Sequence, residues 1–504
     1  MRFFIYLNLF YLLCLIPFKL YGQANILDNS FGNNGFIKIE RGFSTDPYAF
    51  KILPNGEIMI YVAAIDSLFQ MRFRFNGELD TTFGIHGVKH EVYPKIGGAF
   101  DISILPDNKY LVLRSFSEGS FIPEVGFAVT KHHLNDDLDT TFGVAGKSFI
   151  RLGTYAVPAT MAIQQDNKIL ILGVQAQLKG TITRFNSDGQ IDSTFDGNGI
   201  ALVPMGFPAA IGQLSNGKII CSGSRGSGFP DIRIALSCLN PNGSLDLTFG
   251  ANGSVNTYFG RETEVSTSMV IRPNDKILLG GWLDPLKNEF MLVQYNSDGS
   301  LDNDFGTQGL VTTSFPTPAN ITKIHLLPDG KILAFGSLQV ETSFVQGQSI
   351  IARYNANGTL DSTFFEDGIE TFMIEYSSYI TREDGYNDGS FLVSGSFSYE
   401  FNGPPQVYLA KIPDLSISGN YTAKANYKIL IDPNPANEYV HFRVPDQLND
   451  ATLRIFDSTG HLRFEKFHVD KDFVWRTENT PSGFYYYRLT AKGMELTGKI
   501  VLDK

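Results

Sequence analysis

The sequence lacks the short motifs that place a catalytic nucleophile, a hydrolytic zinc ion or a nucleotide: it has no nucleophile elbow, HExxH, Walker loop or dinucleotide fingerprint. No catalytic, cofactor-binding or metal-binding residue is therefore predicted, and no cofactor is expected. A basic excess is also absent, because 41 Lys and Arg face 52 Asp and Glu and give a formal net charge of −11. A nucleic-acid partner, which needs a basic face, is not expected.

Long apolar runs are equally scarce. The strongest lies in residues 1–22, which begin with one Arg, pass through an apolar core and end near small residues. This pattern predicts a secretory signal peptide that is cleaved near residues 22–24. Asn8, Pro17 and Lys19 keep the run below the about 20 apolar residues that span a bilayer, so no membrane-spanning segment is expected in the mature chain.

Aromatic residues and glycine are abundant, with 41 Phe, 22 Tyr and 49 Gly, a composition rich in strand and turn formers. Many of them recur in one phrase, which joins LDxxF to a Gly-rich turn. Its seven copies begin at Leu27, Leu79, Leu138, Ile191, Leu245, Leu301 and Leu360. The Asp residues of successive copies are 52 to 59 residues apart, and a period of that size indicates an array of supersecondary units.

The phrase supplies seven Asp residues, which are Asp28, Asp80, Asp139, Asp192, Asp246, Asp302 and Asp361. An Asp ahead of a turn accepts backbone N–H groups two or three residues later, and the glycines that follow permit the positive φ of a tight reversal. A calcium site is the alternative, since hard cations take carboxylate oxygens. Most copies offer a single carboxylate and neither the EF-hand nor the Gly-Gly-x-Gly-x-Asp pattern appears, so the structural turn is favoured.

Between the phrases, turns such as SNGK at Ser215 and PDGK at Pro328 join apolar runs and predict β-hairpins. Each unit is predicted to contain a short strand after the phrase, the two arms of the hairpin and a fourth strand. Seven such units fill residues 27–413. The expected fold is all-β, a seven-bladed β-propeller-like domain, and closure of the ring is favoured over an open array because it removes exposed sheet edges.

The unit pattern RYNxxGxLDxTFGxxG, with PDGK hairpins between copies, resembles the delta-60 repeat of exported bacterial proteins over residues 27–413. The resemblance implies a propeller-like fold and no shared catalytic assignment. The sequence departs from the pattern where Asp196 and Phe365 replace the usual Gly of the fourth and seventh phrases. It departs again at Asn387, where NDGS replaces the Lys-bearing turn.

One polar position recurs near the end of the predicted fourth strand, two residues before the Asn of RYN. Its occupants are Arg74, His133, Arg184, Cys238, Gln294, Arg353 and Lys411. A mostly basic residue in each unit could line a channel and bind anionic groups. A solvated position or a repeated polar contact between blades is the favoured interpretation.

Three residue pairs are candidates for a metal or disulfide site: His132 with His133, His86 with His90, and Cys221 with Cys238. Adjacent histidines on a strand point to opposite faces, and the second pair flanks a turn without a third ligand, so neither is expected to hold a metal ion. The two cysteines align with an apolar and a polar position of the sister repeats. We therefore expect them on opposite sides of a sheet, which disfavours a disulfide.

The C-terminal part has a different pattern. Residues 414–427 are polar and predict a linker, and residues 428–504 contain seven short alternating segments that predict a small β-sandwich. This segment resembles the type A sorting domain of type IX (Por) secretion in Bacteroidetes. The motifs that carry the resemblance are PNPA at 433–436, LRIFDSTG at 453–460, PSGFY at 481–485 and GKIVL at 498–502.

The resemblance implies export through the periplasm, passage across the outer membrane by the type IX machinery, a cut in the linker, and surface attachment or release. The first functional hypothesis is a non-enzymatic surface or secreted propeller whose loops bind a protein or a glycan. A carbohydrate-active enzyme with a carboxylate pair in the central funnel is the alternative, and a structural spacer is the third. Insertions at 115–126 and 337–349 are where a site is expected.

Overall fold

The structure is a computed structural model of the 504-residue chain. It describes residues 26–503 except for 40–46, 64–66, 93–95, 119–123, 229–230, 284–287, 340–346, 366, 375–376, 399–405, 416–429, 433–435, 445–450, 458–460, 470–471, 479 and 492–493. The predicted signal peptide, most of the predicted linker and the centres of both insertions lie outside the described residues. Two compact units are present, which divide between residues 420 and 421.

The first unit consists of seven four-stranded antiparallel sheets, and its first strand in chain order is β1 (Phe36–Ile39). Sheet 1 contains β2 (Pro47–Ile52), β3 (Ile58–Ala63), β4 (Ser67–Phe73) and β5 (Val88–Val92). Sheet 2 contains β6 (Ile96–Ile104), β7 (Tyr110–Glu118), β8 (Glu124–His132) and β9 (Lys147–Arg151). Sheet 3 contains β10 (Ala156–Ile163), β11 (Ile169–Gln175), β12 (Lys179–Phe185) and β13 (Ile200–Val203), with a 3₁₀ turn at Ala176–Leu178.

The remaining sheets repeat this order. Sheet 4 contains β14 (Phe207–Gln213), β15 (Ile219–Gly228), β16 (Asp231–Leu239) and β17 (Ser254–Thr257). Sheet 5 contains β18 (Glu264–Ile271), β19 (Ile277–Leu283), β20 (Glu289–Tyr295) and β21 (Leu310–Ser314). Sheet 6 contains β22 (Ala319–Leu326), β23 (Ile332–Gln339), β24 (Gly347–Tyr354) and β25 (Ile369–Phe372). Sheet 7 contains β26 (Ser377–Gly385), β27 (Phe391–Ser398), β28 (Gln406–Ile412) and, as its fourth strand, β1.

The first and the last strand of the first compact unit meet in sheet 7. Strand β1 pairs with β28 from Phe36 opposite Ala410 to Ile39 opposite Val407. The first strands of the sheets, called the inner strands here, contact one another in a cycle from β2 through β6, β10, β14, β18 and β22 to β26, and β26 contacts β2. The all-β fold with propeller-like repeats is therefore confirmed, and in the described part of the first unit each of the seven sheets contacts two neighbours.

The phrase lies between the third and fourth strands of a sheet, so the repeat in the sequence is offset from the sheet. The strand that follows a phrase is the outer strand of the same sheet, as β5 is in sheet 1, and the next hairpin starts the next sheet. The predicted unit, which began at the phrase, therefore spans two sheets. This offset is the reason that the first phrase completes the last sheet.

Every inner strand contains a β-bulge, such as the register shift between Ser266 and Ser268 in β18. The shift brings the inner-strand backbone close to the second strand. A Cβ built on Gly281 would lie 1.9 Å from the Val265 carbonyl oxygen, and one on Gly395 would lie 1.7 Å from that of Tyr379. The Gly that was expected to end most second hairpin arms lies inside the second strand, and close backbone approach requires it there.

The apolar core lies between neighbouring sheets. One cluster joins Leu409 of sheet 7 to Ile60 of sheet 1, and another joins Leu113 of sheet 2 to Ile171 of sheet 3. The phrase Phe is buried each time, at 0 to 3% exposure for Phe31, Phe83, Phe142, Phe195, Phe249, Phe305 and Phe364, and the first six belong to clusters of this kind. The phrase therefore packs each sheet against the next.

The second unit has two sheets, whose strands are β29 (Leu430–Asp432), β30 (Tyr439–Arg443), β31 (Ala451–Asp457), β32 (Leu462–Val469), β33 (Asp472–Arg476), β34 (Gly483–Ala491) and β35 (Met494–Leu502). Their orders are β29-β30-β33 and β32-β31-β34-β35. Phe442 and Trp475 of the first sheet share one buried cluster with Leu453 and Tyr487 of the second. The Ala436 amide donates to the Val501 carbonyl at 2.8 Å, which joins the start of this unit to its last strand.

No helix in the described part of the chain is long and apolar enough to cross a bilayer.

Removing β1 should destabilise the whole first compact unit, with all seven of its sheets. A chain of residues 41–420 loses the fourth strand of sheet 7 together with the buried Phe31 and Ile39. We expect its thermal midpoint to fall by about 10 °C or more relative to residues 26–420, because deleting one buried Phe already costs about 3–5 kcal/mol. Circular dichroism melting measures the shift, and full-length chain is the control. Equal midpoints for the two shortened chains would contradict closure through β1.

Candidate functional site

Each phrase Asp binds its own turn. Its Oδ1 accepts the N–H two residues later at 3.0 to 3.4 Å in all seven copies. Its carbonyl accepts the N–H of the phrase Phe at 2.9 to 3.0 Å. The Gly after the Phe has positive φ, and Asp196 and Phe365 adopt φ of 47° in its place. The predicted Asx-type turn is therefore confirmed.

The other carboxylate oxygen of the phrase Asp accepts donors from the same sheet. Hairpin lysines reach it at 2.6 to 3.0 Å in sheets 2 to 6, from Lys109, Lys168, Lys218, Lys276 and Lys331. A third-strand residue eight positions before the Asp faces the same carboxylate, and in the first phrase Lys411 from the far end of the chain takes that place. These residues are Arg72, Lys131, Arg184, Cys238, Gln294, Arg353 and Lys411.

The predicted polar position is wrong in the first two repeats. Arg74 and His133 occupy the turn position that Asn186 holds in sheet 3. The backbone N–H at this position donates to the carbonyl four residues later in all three turns. The side chains that face Asp80 and Asp139 belong to residues 72 and 131, two positions earlier. The alignment failed because these repeats have no Asn at that point of the turn, whereas the spacing of eight residues to the phrase Asp identifies the position in every copy.

The same contacts connect neighbouring sheets. The amide after the phrase Phe donates to a turn carbonyl of the next sheet, from Gly143 to Asp188 at 2.7 Å and from Gly32 to Asn76 at 2.7 Å. Arg184 donates to the Pro241 carbonyl of sheet 4, and its guanidinium lies 4.4 Å from the centre of the Phe195 ring. We call the phrase Asp, its third-strand partner and, in sheets 2 to 6, its hairpin lysine the phrase joint. Both carboxylate oxygens already accept hydrogen bonds from the protein. This arrangement is typical of a structural contact rather than of a metal ligand.

These partners lower the pKa of the phrase carboxyls. At Asp361, burial raises the pKa, but hydrogen bonds from Thr363 and Lys331 and the charge of Arg353 outweigh burial and lower the pKa to about 2. At Asp80 the Thr82 hydroxyl is the largest cause of a lowered pKa, ahead of Arg72. The joints therefore stabilise the ionised form.

The candidate histidine pairs do not form metal sites in the described part of the chain. His132 stacks on Tyr110 at 5.0 Å between ring centres, whereas His133 is exposed. Burial lowers the pKa of His132 despite the nearby charge of Asp136. His90 stacks on Phe69, and no contact to His86 is found. Among the described residues, no group of three or more His, Cys, Asp or Glu side chains is placed to hold a metal ion.

Asp136 is a buried residue that sequence reasoning missed. It stands at φ of 73° where the other turns have a positive-φ Gly, and it accepts hydrogen bonds from Gln70 and Tyr110 and an ion pair from Lys89. The signal in the sequence was the loss of Gly from the turn HLNDDLD. Since its donors come from sheets 1 and 2, Asp136 connects those sheets.

Cys221 and Cys238 are both free and buried. Cys221 packs in the cluster between sheets 3 and 4, and Cys238 packs in the cluster between sheets 4 and 5. The expectation that they face opposite sides of a sheet is confirmed. Burial is the main cause that raises the pKa of the Cys238 thiol to about 12, so it contacts Asp246 as a neutral group with Sγ at 3.8 Å.

A cavity of about 490 Å³ lies where the inner strands of sheets 6, 7 and 1 meet the hairpin turn of sheet 7. We call it the inner-rim pocket. Its polar lining residues are Lys51, Lys323, His325, Glu383, Asp384, Tyr386 and Asn387. Phe391 adds an aromatic wall, and the His325 ring meets it edge-on at 4.8 Å. The turn that forms one side is NDGS, the departure noted in the seventh repeat.

Glu383 stands at a position that is apolar in the other six sheets. Strand pairing places it opposite Val393, as Ile324 is opposite Ala334 and Met269 is opposite Leu279. Its side chain is 5% exposed, its Oε1 lies 3.8 Å from His325 Nδ1, and its buried Oε2 has no hydrogen-bond partner. The Tyr386 hydroxyl is likewise buried without a partner.

Asp384 is fully engaged by sheet 1. Its Oδ1 accepts the Lys51 ammonium at 2.5 Å and its Oδ2 accepts the Ile52 amide at 2.8 Å. Burial lowers the pKa of Lys51, but the charge of Asp384 outweighs burial and raises that pKa. Burial also raises the pKa of Asp384, although the charge of Lys51 acts against that rise. The contact bridges sheets 7 and 1, which leaves Glu383 as the carboxylate of the pocket with an unpaired oxygen.

Comparison with known families gives two matches. A β-propeller domain of unknown function, DUF5122, matches residues 164–195, 214–249, 272–305 and 327–364, and a secretion system C-terminal sorting domain matches residues 431–503. The chain carries DUF5122 β-propeller repeats and a type IX secretion sorting domain. Each DUF5122 match runs from a hairpin turn to a phrase Phe, so it contains a complete phrase joint. The sorting domain implies engagement of the type IX machinery and secretion to the cell surface or the extracellular space.

Known proteins resemble parts of the chain. The thiol protease/hemagglutinin PrtT of Porphyromonas gingivalis is 30% identical over 133 residues, which are 26% of this chain and 13% of PrtT. Among solved structures, PorZ, a surface component of the type IX secretion system of Porphyromonas gingivalis, has a TM-score of 0.38 at 11% identity and covers 92% of this chain and 61% of its own. Prolyl oligopeptidase B of Galerina marginata has a TM-score of 0.40 at 9% identity over 92% of this chain and 56% of its own. The chain thus spans only part of these relatives.

Substituting a phrase Asp should cost most where its partner is a buried Arg. In Asp361→Asn, Arg353 with 0% side-chain exposure loses its counter-charge, and we expect a loss of about 3 kcal/mol in the free energy of unfolding. In the matched variant Asp246→Asn, the partners are the neutral Cys238 and the 32% exposed Lys218, and we expect about 1 kcal/mol. Urea unfolding measures both. Equal losses, or a larger loss for Asp246→Asn, would show that the charge pair is not what stabilises the joint.

The joints also predict a pH dependence. Because the folded pKa of a phrase Asp lies below its unfolded value of about 3.9, the stabilisation is complete above that value and is lost as the pH falls through the folded pKa. The free energy of unfolding should therefore decrease between about pH 4 and pH 2. Urea titrations at several pH values measure this slope, and Asp361→Asn should reduce it. An unchanged slope in that variant would contradict the assignment.

Proposed function

We propose that this chain is a non-enzymatic binding module, a closed seven-bladed propeller that type IX secretion delivers to the outside of the cell to meet a protein or a glycan. The inner-rim pocket is the observation that supports binding. Glu383 and Tyr386 line it, the Glu383 Oε2 atom and the Tyr386 hydroxyl have no hydrogen-bond partner, and Glu383 stands where six sister sheets keep an apolar residue. Buried polar groups without partners are costly, and fold stability gives no reason to keep them.

The domain limits belong to this proposal. Residues 1–22 act as a signal peptide, residues 27–413 form the propeller, residues 414–427 are the linker that is cut, and residues 428–504 are the sorting domain. The division of the chain between residues 420 and 421 and the sorting-domain match at 431–503 support these limits. Sheet 7, closed by the first phrase, supports a ring of seven blades.

A carbohydrate-active enzyme is less well supported. Hydrolysis of a glycoside by a carboxylate pair needs two carboxyl groups about 5 to 9.5 Å apart, with each free to act on the substrate. Asp384 has both oxygens occupied by Lys51 and the Ile52 amide, so Glu383 has no second free carboxylate beside it in the described lining. One free carboxylate among hydrogen-bond donors favours recognition over hydrolysis.

The proposal predicts that the first compact unit binds the ligand and that the bound glycan is not cleaved. Full-length chain and a chain that ends at residue 420 should bind the same members of a glycan microarray and of a surface-protein panel, whereas residues 421–504 alone should bind none of them. Incubation of each bound glycan with the full-length chain should leave its mass unchanged. Binding by residues 421–504 alone, or release of shorter sugars, would contradict a non-enzymatic binding propeller.

A further inference from the structure

The inner-rim pocket is neutral in sum and mixed in hydrogen-bonding character. Lys51 and Lys323 contribute two positive charges, Glu383 and Asp384 two negative ones, and one of each is consumed in the Lys51–Asp384 pair. The free groups are then an ammonium, a carboxylate oxygen and a phenol hydroxyl, with the His325 imidazole and the neutral Asn387 beside them. Such a set offers donors and acceptors together, which neither a purely anionic nor a purely cationic ligand would satisfy.

Apolar surfaces complete the pocket. Phe391 and the Tyr386 ring present aromatic surface, and the Lys411 ammonium lies 5.0 Å from the centre of the Tyr386 ring. A sugar presents hydroxyls on its edges and C–H groups on its faces, so it can satisfy the carboxylate and the hydroxyl while it packs on the aromatic wall. A volume of about 490 Å³ accommodates one or two sugar rings.

The pocket exists because three of the four residues at 383–386 in sheet 7 differ from the large apolar residues at the matching positions of sheet 6. Glu383 replaces the apolar residue that is Ile324 in sheet 6, Gly385 stands at the place of Leu326, and Tyr386 stands at the place of Leu327. A Cβ on Gly385 would meet only ordinary contacts, at 3.5 Å to Phe391 and 3.7 Å to His325, so the backbone there does not require Gly. The missing side chain leaves space beside the carboxylate.

We propose that the inner-rim pocket binds a neutral polyhydroxylated ligand, the terminal neutral sugar of a glycan. Glu383 Oε2 accepts one or two hydrogen bonds from sugar hydroxyls. The Tyr386 hydroxyl and the Lys323 ammonium donate hydrogen bonds to sugar oxygens, and the face of the sugar ring packs on Phe391. This assignment rests on the proposed binding function and names the ligand class of its site.

Two variants of the full-length chain test the assignment against a structural role for Glu383. Glu383→Ile installs the residue of sheet 6 and removes a buried unpaired carboxylate, so its thermal midpoint should be equal or higher while sugar affinity falls at least tenfold. Gly385→Leu keeps the carboxylate but fills the space, and should also reduce affinity at least tenfold. Glu124→Gln, an exposed carboxylate of sheet 2, is the control and should change neither quantity.

Saturation-transfer NMR with free glucose, galactose, mannose, fucose and N-acetylglucosamine, together with a microarray of neutral glycans, provides the readout. Glucosamine and sialic acid are the charged comparisons. Binding of a neutral sugar that both pocket variants weaken is the expected result, and the free sugars and the array distinguish a monosaccharide from a glycan end. Preference for glucosamine or sialic acid, or a lower midpoint for Glu383→Ile with unchanged affinity, would overturn the assignment.

The failure of this assignment differs from the failure of the binding function. Glycan or protein binding by the full-length chain that both pocket variants leave unchanged would place the ligand elsewhere on the propeller and overturn only the pocket. The absence of binding to every sugar, glycan and protein tested would overturn both.

Discussion

The fold depends on one charged contact that is repeated around the ring. In every phrase joint the carboxylate holds its own turn with one oxygen and faces a third-strand side chain with the other, and in sheets 2 to 6 the second oxygen also accepts a hairpin lysine. A buried ion pair is weak evidence of stability when taken alone, because desolvation offsets attraction. Here each oxygen also accepts hydrogen bonds, and the Phe beside it fills the space between sheets. The joint therefore specifies both the turn and the packing of the next sheet.

Variation among the joints shows which part of the contact is essential. The carboxylate is present in all seven, while its third-strand partner is Arg, Lys, Gln or Cys. In sheet 5, where that partner is Gln294, Arg272 from the hairpin turn after β18 lies over the phrase Phe305, with its guanidinium 5.8 Å from the ring centre. In sheet 1, Glu57 takes the place of the hairpin lysine and pairs with Arg72 at 3.6 Å. The turn hydrogen bonds stay the same, so the turn is the constant element and the charge partners adapt around it.

Much of this architecture could be predicted from the sequence, because the phrase fixes local chemistry at a regular spacing. The turns, the hairpins and the opposite orientation of Cys221 and Cys238 follow from alternation and turn composition. The offset between repeat and sheet, the bulges of the inner strands and the partners of Asp136 could not, because each depends on contacts between residues far apart in the chain. Glu383 was missed because a single carboxylate is conspicuous only after strand pairing aligns it with six apolar residues.

Amide hydrogen exchange over the seven phrases tests the central claim, that the joints tie the sheets into one closed cooperative ring. If the first phrase is a joint like the others, the amides of residues 28–39 should exchange as slowly as those of the internal phrases, and all seven should become exposed together as denaturant is added. Fast exchange of residues 28–39 beside protected internal phrases would contradict the account, because it would show an array whose first phrase does not close the last sheet.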